Sequence, residues 1–288
     1  MDLELLILKS LKESIVISII IFILMIVVEF LVLKYKDKII NLTKKKSFLT
    51  YIIASLFGSI PGCVGTFAMD SLYMAGLLSF GGIIATMIST SGDEAFLMIS
   101  YAIQGSISWT TLGILVGVLF LLGVVGAYLA DVLKNKTKMN FCKSCLIEFH
   151  KNKEFEIGHF IKKHVFNHII KKHIWKIFLW IFGALFVIGI SKTFIDPQQL
   201  FGGGTMVYVL LVASLVGLLP LSGPNIFLIV LFSQGLIPFS VLLANSIIQD
   251  GHGLLPIIGF SVDDAVKIKL FNFFFGLIIG LGLLFLGF

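Results

Sequence analysis

The two halves of this chain match each other at a fixed offset of 159 residues, and this internal repeat is the strongest constraint on its fold. The second half repeats Ala54-Ser55-Leu56, Gly58 and Pro61 as Ala213-Ser214-Leu215, Gly217 and Pro220. The match needs no gap from Ala54 to Gly92, whose counterpart is Gly251. Matched glycines and prolines in an apolar chain are typical of transporters built from two structural repeats. In such proteins the substrate site lies where the broken helices of the two repeats meet.

Composition places the chain among membrane proteins. It is 58% hydrophobic and 13% charged, with 28 phenylalanines and a mean hydropathy of +1.04. A soluble domain is much less apolar, so we predict an all-α, polytopic membrane protein. The acidic start of the chain and the lack of a cleavage site after the first apolar run argue against a cleavable signal peptide.

The lysines predict the orientation of the chain. All 22 basic residues are lysines, six of them between Lys34 and Lys46 and ten between Lys134 and Lys172. Basic loops stay on the cytoplasmic side, so we expect loops 34–46 and 134–173 to be cytoplasmic, with a third loop at Lys267 and Lys269. The segments around Asp70, 105–109 and 196–204 are then outside, as are both termini. The expected location is a bacterial-type inner membrane. The positive charge is explained by topology, and no nucleic-acid partner is expected.

These assignments predict ten hydrophobic helical elements in two inverted repeats of five, each with a broken helix and a hairpin. The first repeat covers residues 1–133, a Lys/His-rich cytoplasmic linker covers 134–173, and the second repeat covers 174–288. Since a membrane span needs about 20 apolar residues, the outer elements are long enough to cross and the central hairpins are shorter. The sequence leaves open whether the hairpins span the membrane or re-enter it.

Each repeat is interrupted by a Gly/Pro cluster, at residues 58–65 and 217–225. Proline removes a backbone donor and glycine permits unwound geometry. A simple packing kink would explain one such break. Two breaks at matched positions favour a binding site, because unwound backbone inside a membrane is tolerated only where protein or a wet cavity satisfies it.

The hairpins contain ionisable residues, which are costly at membrane depth and commonly line a substrate or proton path. We therefore predict a substrate or ion site made of oxygen, nitrogen and sulfur donors: Asp93, Glu94, Asp250, His252, Asn225, Asn245, Thr90, Gln249 and Cys63. The carboxylates and the imidazole of Asp93, Glu94, Asp250 and His252 are the predicted metal ligands, a mixture that suits a divalent cation. His252 is also a candidate proton carrier. The alternative is that these residues form hairpin tips in the headgroup region.

The cysteines add a second candidate metal region. Cys63 is the only thiol in a helix break, and its counterpart is Ser222, so a symmetric thiolate pair is absent. In the linker, Cys142 and Cys145 precede five histidines, including His164 and His168. This loop could bind or deliver metal, although its spacing is not that of a usual zinc site. An interfacial helix lying on the membrane would explain the same segment.

Several motifs resemble those of the ten-helix heavy-metal exporters, a family whose members are labelled manganese transporters or arsenic efflux proteins. The resemblance rests on Pro61-Gly62-Cys63, Ser79-Phe80-Gly81, Gly92-Asp93-Glu94-Ala95-Phe96, Gly223-Pro224 and Gln249-Asp250-Gly251-His252. It implies a secondary exporter of a manganese-like divalent cation or a metalloid, with Asp93, Glu94, Asp250 and His252 in the hairpin motifs. Ser222 departs from the family's Gly-Cys-Gly pattern in the second break.

Two other functions fit the sequence. An anion or lipid-phosphate translocase could use the amides at the helix breaks, although the acidic hairpins would repel an anion. A metal-responsive membrane sensor could use the linker cysteines and histidines. We expect no enzymatic activity, because no Walker A, HExxH or GxSxG motif is present. No resident cofactor is expected beyond a transported metal ion; the partners are membrane lipid and that ion, and a homo-oligomer is compatible with the sequence.

Overall fold

In the computed structural model, the described residues are 3–42, 48–74, 76–90, 92–137, 174–194, 205–220 and 222–288. Their regular structure is helical and contains no strand, which confirms the predicted all-α, polytopic fold. The helices are α1 Leu3–Leu42, α2 Phe48–Gly58, α3 Val64–Met74, α4 Phe80–Ser89, α5 Glu94–Ile103, α6 Trp109–Thr137, α7 Trp175–Phe194, α8 Met206–Gly217, α9 Ser222–Ser233, α10 Phe239–Ile248, α11 Leu255–Phe260 and α12 Val262–Phe285.

The 159-residue offset of the sequence is also present in the backbone. Helix α4 and helix α10 begin 159 residues apart. The residue before each helix is extended, with φ −75° and ψ 168° at Ser79 and φ −77° and ψ 166° at Pro238. The residue after each helix is extended too, with φ −72° and ψ 131° at Thr90 and φ −75° and ψ 136° at Gln249. Helices α2–α6 therefore form a first set, and α8–α12 form a second set with the same order of elements.

Helix packing follows the same correspondence. In the first set α4 packs against α2 and α6, and in the second set α10 packs against α8 and α12. Between the sets α4 contacts α10, α5 contacts α9, and α3 contacts α11. Exchanging the two sets leaves this contact pattern unchanged. The two sets are thus related by an approximate two-fold exchange, and the contacts between them involve both broken helices and both hairpins.

Helices α6 and α12 are the described helices that are long and apolar enough, by length and composition, to cross a membrane. On both helices, small residues point toward the centre of the helix set to which the helix belongs. A Cβ atom at Gly123 would lie 2.8 Å from the Ala85 carbonyl oxygen, and one at Gly276 would lie 3.0 Å from the Ala244 carbonyl oxygen. Close helix contacts through small residues are the usual packing of membrane helices. The opposite faces expose Leu121 on α6 and Phe274 on α12, among other apolar side chains.

The predicted helix breaks are present. Helix α2 ends at Gly58 and α3 begins at Val64, while α8 ends at Gly217 and α9 begins at Ser222. In the first break Gly62 has φ +89°, and its amide donates a 2.8 Å hydrogen bond to the carbonyl oxygen of Gly92. Gly92 and Gly251 have φ values of +48° and +51° at the two hairpin tips, where a residue with a Cβ atom would be strained. The first break is therefore tied to the tip of the first hairpin.

Two expectations about lysine-rich loops differ from the structure. Helix α1 continues to Leu42, so most of the predicted loop 34–46 has helical backbone, and residues 43–47 lie outside the described part. The prediction that Lys267 and Lys269 mark a third cytoplasmic loop is wrong, since both belong to α12. Lys267 pairs with Asp263 one turn earlier, whereas Lys269 is buried in the protein interior. Lys269 stays in the protein interior because it belongs to a buried ion pair. The number of lysines along the chain could not predict that pair.

Candidate functional site

In each helix set, one side-chain pair links the helix break to the hairpin, and the two pairs occupy equivalent positions. In the first set the Cys63 Sγ donates to Asp93 Oδ1 at 4.0 Å. In the second set the Ser222 Oγ lies 3.2 Å from His252 Nδ1. Cys63 and Ser222 are 159 residues apart, as are Asp93 and His252. Each break thus contributes a small nucleophilic side chain, and each hairpin contributes a titratable one.

The two pairs meet across the boundary between the helix sets. One ligand atom each from Cys63, Asp93 and His252 lie within 4.8 Å of one another. Cys63 and Asp93 are buried, and His252 is half-buried. We call these three residues the ligand cluster. Thiolate, carboxylate and imidazole are the ligand types that zinc and similar borderline cations prefer, so the cluster has the chemistry of a cation site.

A network of amide side chains lies next to the ligand cluster. The Asn225 Nδ2 donates to Glu94 Oε1 and to Gln249 Oε1, both at 3.4 Å. The Asn245 Nδ2 donates to Asn225 Oδ1 at 3.2 Å and to the Ala213 carbonyl oxygen at 2.9 Å. All four side chains are buried. The network therefore joins the start of α5 to α8, α9 and the end of α10.

Threonines take the place of these amides in the first set. The hydroxyls of Thr66 and Thr90 lie 3.0 Å apart, at the positions equivalent to Asn225 and Gln249. The Thr86 hydroxyl donates to the Ala54 carbonyl oxygen at 3.2 Å, as Asn245 does to that of Ala213. The same contacts are therefore made twice, with short hydroxyls in one set and longer amides in the other.

A small cavity opens beside this network. Its polar lining comes from the α5 start, α9 and α10, and its apolar lining comes mainly from α5 and α6: Glu94, Asn225, Asn245, Ser246 and Gln249, with Met98, Leu112, Leu115 and Leu119 among the apolar residues. Glu94 Oε2 is buried and has no hydrogen-bond partner among the described residues. A buried carboxylate oxygen without a donor is costly. Its burial therefore favours either a cation beside the carboxylate or a proton on the carboxyl group itself.

Asp250 lies in an arrangement that the sequence did not predict. Its Oδ2 pairs with Lys269 Nζ at 2.7 Å, and its Oδ1 accepts from Asn272 Nδ2 at 3.1 Å. Both partners come from α12 and are buried. The structure therefore brings Cys63, Asp93 and His252 together and directs Asp250 toward a lysine. The charge of Asp250 is therefore compensated by Lys269, whereas Asp93 belongs to the ligand cluster.

Three further polar residues were missed as candidates. Ser222 contacts His252, and Lys269 and Asn272 hold Asp250. The isolated Lys269 and Asn272 in the apolar run of α12 were the available signal, because polar residues at such positions rarely face lipid.

Asp70 is the fourth missed residue. The segment around it was expected outside the membrane, yet its carboxylate is fully buried in α3. Neither of its oxygens has a hydrogen-bond partner among the described residues.

The linker candidates Cys142, Cys145, His164 and His168 lie outside the described residues.

The helical fold, its apolar outer faces and the buried polar site between two helix sets define a multi-pass membrane protein. Comparison with known families gives a match over nearly the whole chain, at residues 3–205 and 184–287, to the model described as "Putative, 10TM heavy-metal exporter" (ArsP_2). The chain belongs to this family, which confirms the resemblance that its motifs indicated. No curated protein matches the chain. No solved structure matches it either.

Proposed function

We propose that the protein exports a divalent heavy-metal cation through the ligand cluster of Cys63, Asp93 and His252. The observation that carries this proposal is that ligands from both helix sets converge within 4.8 Å of one another. The first set supplies a thiol and a carboxylate, and the second supplies an imidazole. A site shared between two sets can be opened to one side or the other when the sets move relative to each other, as alternating access requires.

The donor types favour a borderline cation. Mn²⁺ prefers carboxylate and other oxygen ligands, whereas Zn²⁺ accepts sulfur, nitrogen and oxygen together. The thiol of Cys63 makes the cluster softer than a manganese site, so we propose Zn²⁺ or a chemically similar ion as cargo ahead of Mn²⁺. Glu94 and Asp70 place two further carboxyl groups in the buried interior, and buried carboxyl groups favour a cation or protons over an anion.

We further propose that the protein lies in a bacterial inner membrane with its two sets inverted relative to each other. Segments 34–46 and 134–173 would be cytoplasmic and both termini outside. Five elements per repeat, with α1 or α7 included and each broken helix taken as one element, would give opposite orientations. The approximate two-fold exchange of the helix contacts supports this arrangement. No nucleotide-hydrolysing motif accompanies the chain, so we propose secondary transport, with the coupling ion left to experiment.

Flux measurements in proteoliposomes test the proposal. Zn²⁺, Cd²⁺, Mn²⁺, arsenite and phosphate are each offered to the wild type, to Asp93→Asn, and to Asp263→Asn. Asp263 is exposed and pairs with Lys267, so it is a matched charge-removal control. We expect Zn²⁺ or Cd²⁺ flux in the wild type and the control, and its loss in Asp93→Asn with folding retained.

The same panel distinguishes the other functions. Phosphate or lipid-phosphate movement that survives Asp93→Asn would contradict cation export and support an anion translocase. Metal binding without flux of any ion would support a sensor.

A further inference from the structure

Lys269 has the surroundings of a bound monovalent cation. Its Nζ donates to the carbonyl oxygen of Gly217 at 2.9 Å and to that of Ile248 at 3.0 Å, and it pairs with Asp250 Oδ2 at 2.7 Å. An ammonium group has three N–H donors. Two of them are hydrogen-bonded to these carbonyls, and the carboxylate balances the charge of the ammonium. Two backbone carbonyls and a carboxylate are also ligands that a sodium ion would take.

The two carbonyls belong to the ends of helices. Gly217 is the last residue of α8 at the second helix break, and Ile248 is the last residue of α10 before the second hairpin tip. Carbonyl groups at helix C-termini lack intrahelical partners and bear partial negative charge. In transporters with discontinuous helices, such ends are where coupling cations bind. The geometry of the second set is therefore that of a cation site whose occupant is part of the chain.

No lysine stands at the equivalent place among the described residues of the first set. Gly123 on α6 and Gly276 on α12 make the same close contact, with the equivalent carbonyls of Ala85 and Ala244, which fixes the register of the two helices. In that register Lys269 corresponds to Val116, and Asn272 corresponds to Leu119. The buried ammonium is thus specific to the second set and is not a general packing requirement of this fold.

We propose that the Lys269 ammonium is a tethered occupant of a monovalent-cation site formed by the C-termini of α8 and α10 and by Asp250. The wild-type protein consequently needs no sodium at this position. Removing the side chain opens a site for a free alkali cation, which restores the charge balance of Asp250. This inference does not depend on which heavy metal is transported, because the ligand cluster contributes none of the three oxygens.

The test is thermal unfolding of the purified, detergent-solubilised protein in the presence of a chelator, so that heavy-metal binding plays no part. Wild type, Lys269→Ala and the double variant Lys269→Ala/Asp250→Asn are compared in NaCl and in choline chloride at equal ionic strength. Lys267→Ala serves as the control, since Lys267 lies on the same helix and pairs with a surface carboxylate.

For the wild type, the control and the double variant, we expect each protein's unfolding midpoint in NaCl to equal its own midpoint in choline chloride. The midpoint of Lys269→Ala should be lower than that of the wild type in choline. It should rise in sodium by roughly 2–4 °C or more, saturating with concentration as for a specific ligand. Lithium and potassium extend the series and report the size of the opened site.

Equal midpoints of Lys269→Ala in sodium, lithium, potassium and choline would overturn the inference. A Lys269→Ala variant that aggregates in every salt would overturn it as well, since the alkali ions would then have failed to replace the ammonium. Neither result bears on the flux of heavy metal, so the proposed export function is judged separately.

Discussion

The Gln249 Nε2 donates a hydrogen bond of 3.5 Å to the carbonyl oxygen of Thr90, and these two residues occupy equivalent positions 159 residues apart. Each is the residue that follows the first helix of its hairpin. When equivalent residues of two related units touch, the axis that relates the units passes close to the contact. The approximate two-fold axis of the protein therefore runs beside the hairpin tips, next to the ligand cluster and the amide network.

Replacing Gln249 tests the role of this contact between the helix sets. In Gln249→Ala, the Asn225 amide loses one acceptor and the Thr90 carbonyl loses its donor. A buried polar group left without a partner costs about 1–3 kcal/mol. We expect a lower unfolding midpoint and slower metal flux. Gln104→Ala is the control, because Gln104 is exposed and its amide donates to Ser100 of the preceding helix. Equal midpoints for the two variants would contradict the prediction.

Ser222→Cys should strengthen binding of soft cations. Ser222 is the counterpart of Cys63, and its hydroxyl contacts His252 at 3.2 Å. A thiol at this position adds a second sulfur beside the ligand cluster. We expect tighter binding of Cd²⁺ by about tenfold or more, with little change for Mn²⁺, because thiolates prefer softer ions. Isothermal titration of the purified variant measures this, and Ser233→Cys, at the far end of α9, provides the control. An unchanged Cd²⁺ affinity would place Ser222 outside the site.

Asp93 and Asp250 should fail in different ways when neutralised. Asp250→Asn leaves the buried Lys269 without its anionic partner, and breaking a buried pair in this way costs about 3–5 kcal/mol. Asp93→Asn removes a ligand of the proposed cation and leaves the pair of Asp250 and Lys269 in place. We expect a large drop in the unfolding midpoint for Asp250→Asn and a small one for Asp93→Asn, with metal binding lost in the latter. The reverse order of midpoints would refute this division of roles.

Glu94→Gln should stabilise the protein while slowing transport. Glu94 Oε2 is buried without a hydrogen-bond donor among the described residues, so the ionised form of this side chain opposes folding in the absence of cargo. An amide of the same shape removes that charge and can still accept from Asn225. We expect a higher unfolding midpoint and reduced divalent-cation flux in proteoliposomes. A variant with the wild-type midpoint and wild-type flux would show that the charge of Glu94 has no part in either property.

Gly123→Ala should disrupt the packing of α6. The added Cβ would lie 2.7 Å from the Ser55 Oγ and 2.8 Å from the Ala85 carbonyl oxygen. Overpacking of this kind costs about 1–3 kcal/mol. Gly117→Ala on the same helix meets nothing within 4 Å and should instead stabilise by up to about 1 kcal/mol through helix propensity. Thermal unfolding of the two variants measures the difference, and a fall in the midpoint of both would argue against the stated contact.

The sequence was sufficient to predict the helical membrane fold, the two helix breaks and the matching order of elements. These features depend on local apolar runs and on Gly and Pro residues that recur at one offset. It also identified Cys63, Asp93 and His252 as site candidates. The same reasoning treated Lys269 as a loop residue, because a lysine count along the chain carries no information on a carboxylate 19 residues away. The contact between Thr90 and Gln249 depends on how two distant hairpins meet, which no local pattern encodes.

At the ligand cluster, equivalent positions of the two helix sets have different donor side chains. This has a consequence for how such a protein can originate. A homodimer with a site on its symmetry axis offers every ligand twice, since both subunits have the same sequence. Gene duplication followed by fusion removes that restriction. Once the halves are one chain, Cys63 and Ser222, or Asp93 and His252, can mutate independently. A site in which Asp93 faces its own counterpart His252 is therefore available to the fused chain and not to an ancestor assembled from identical subunits.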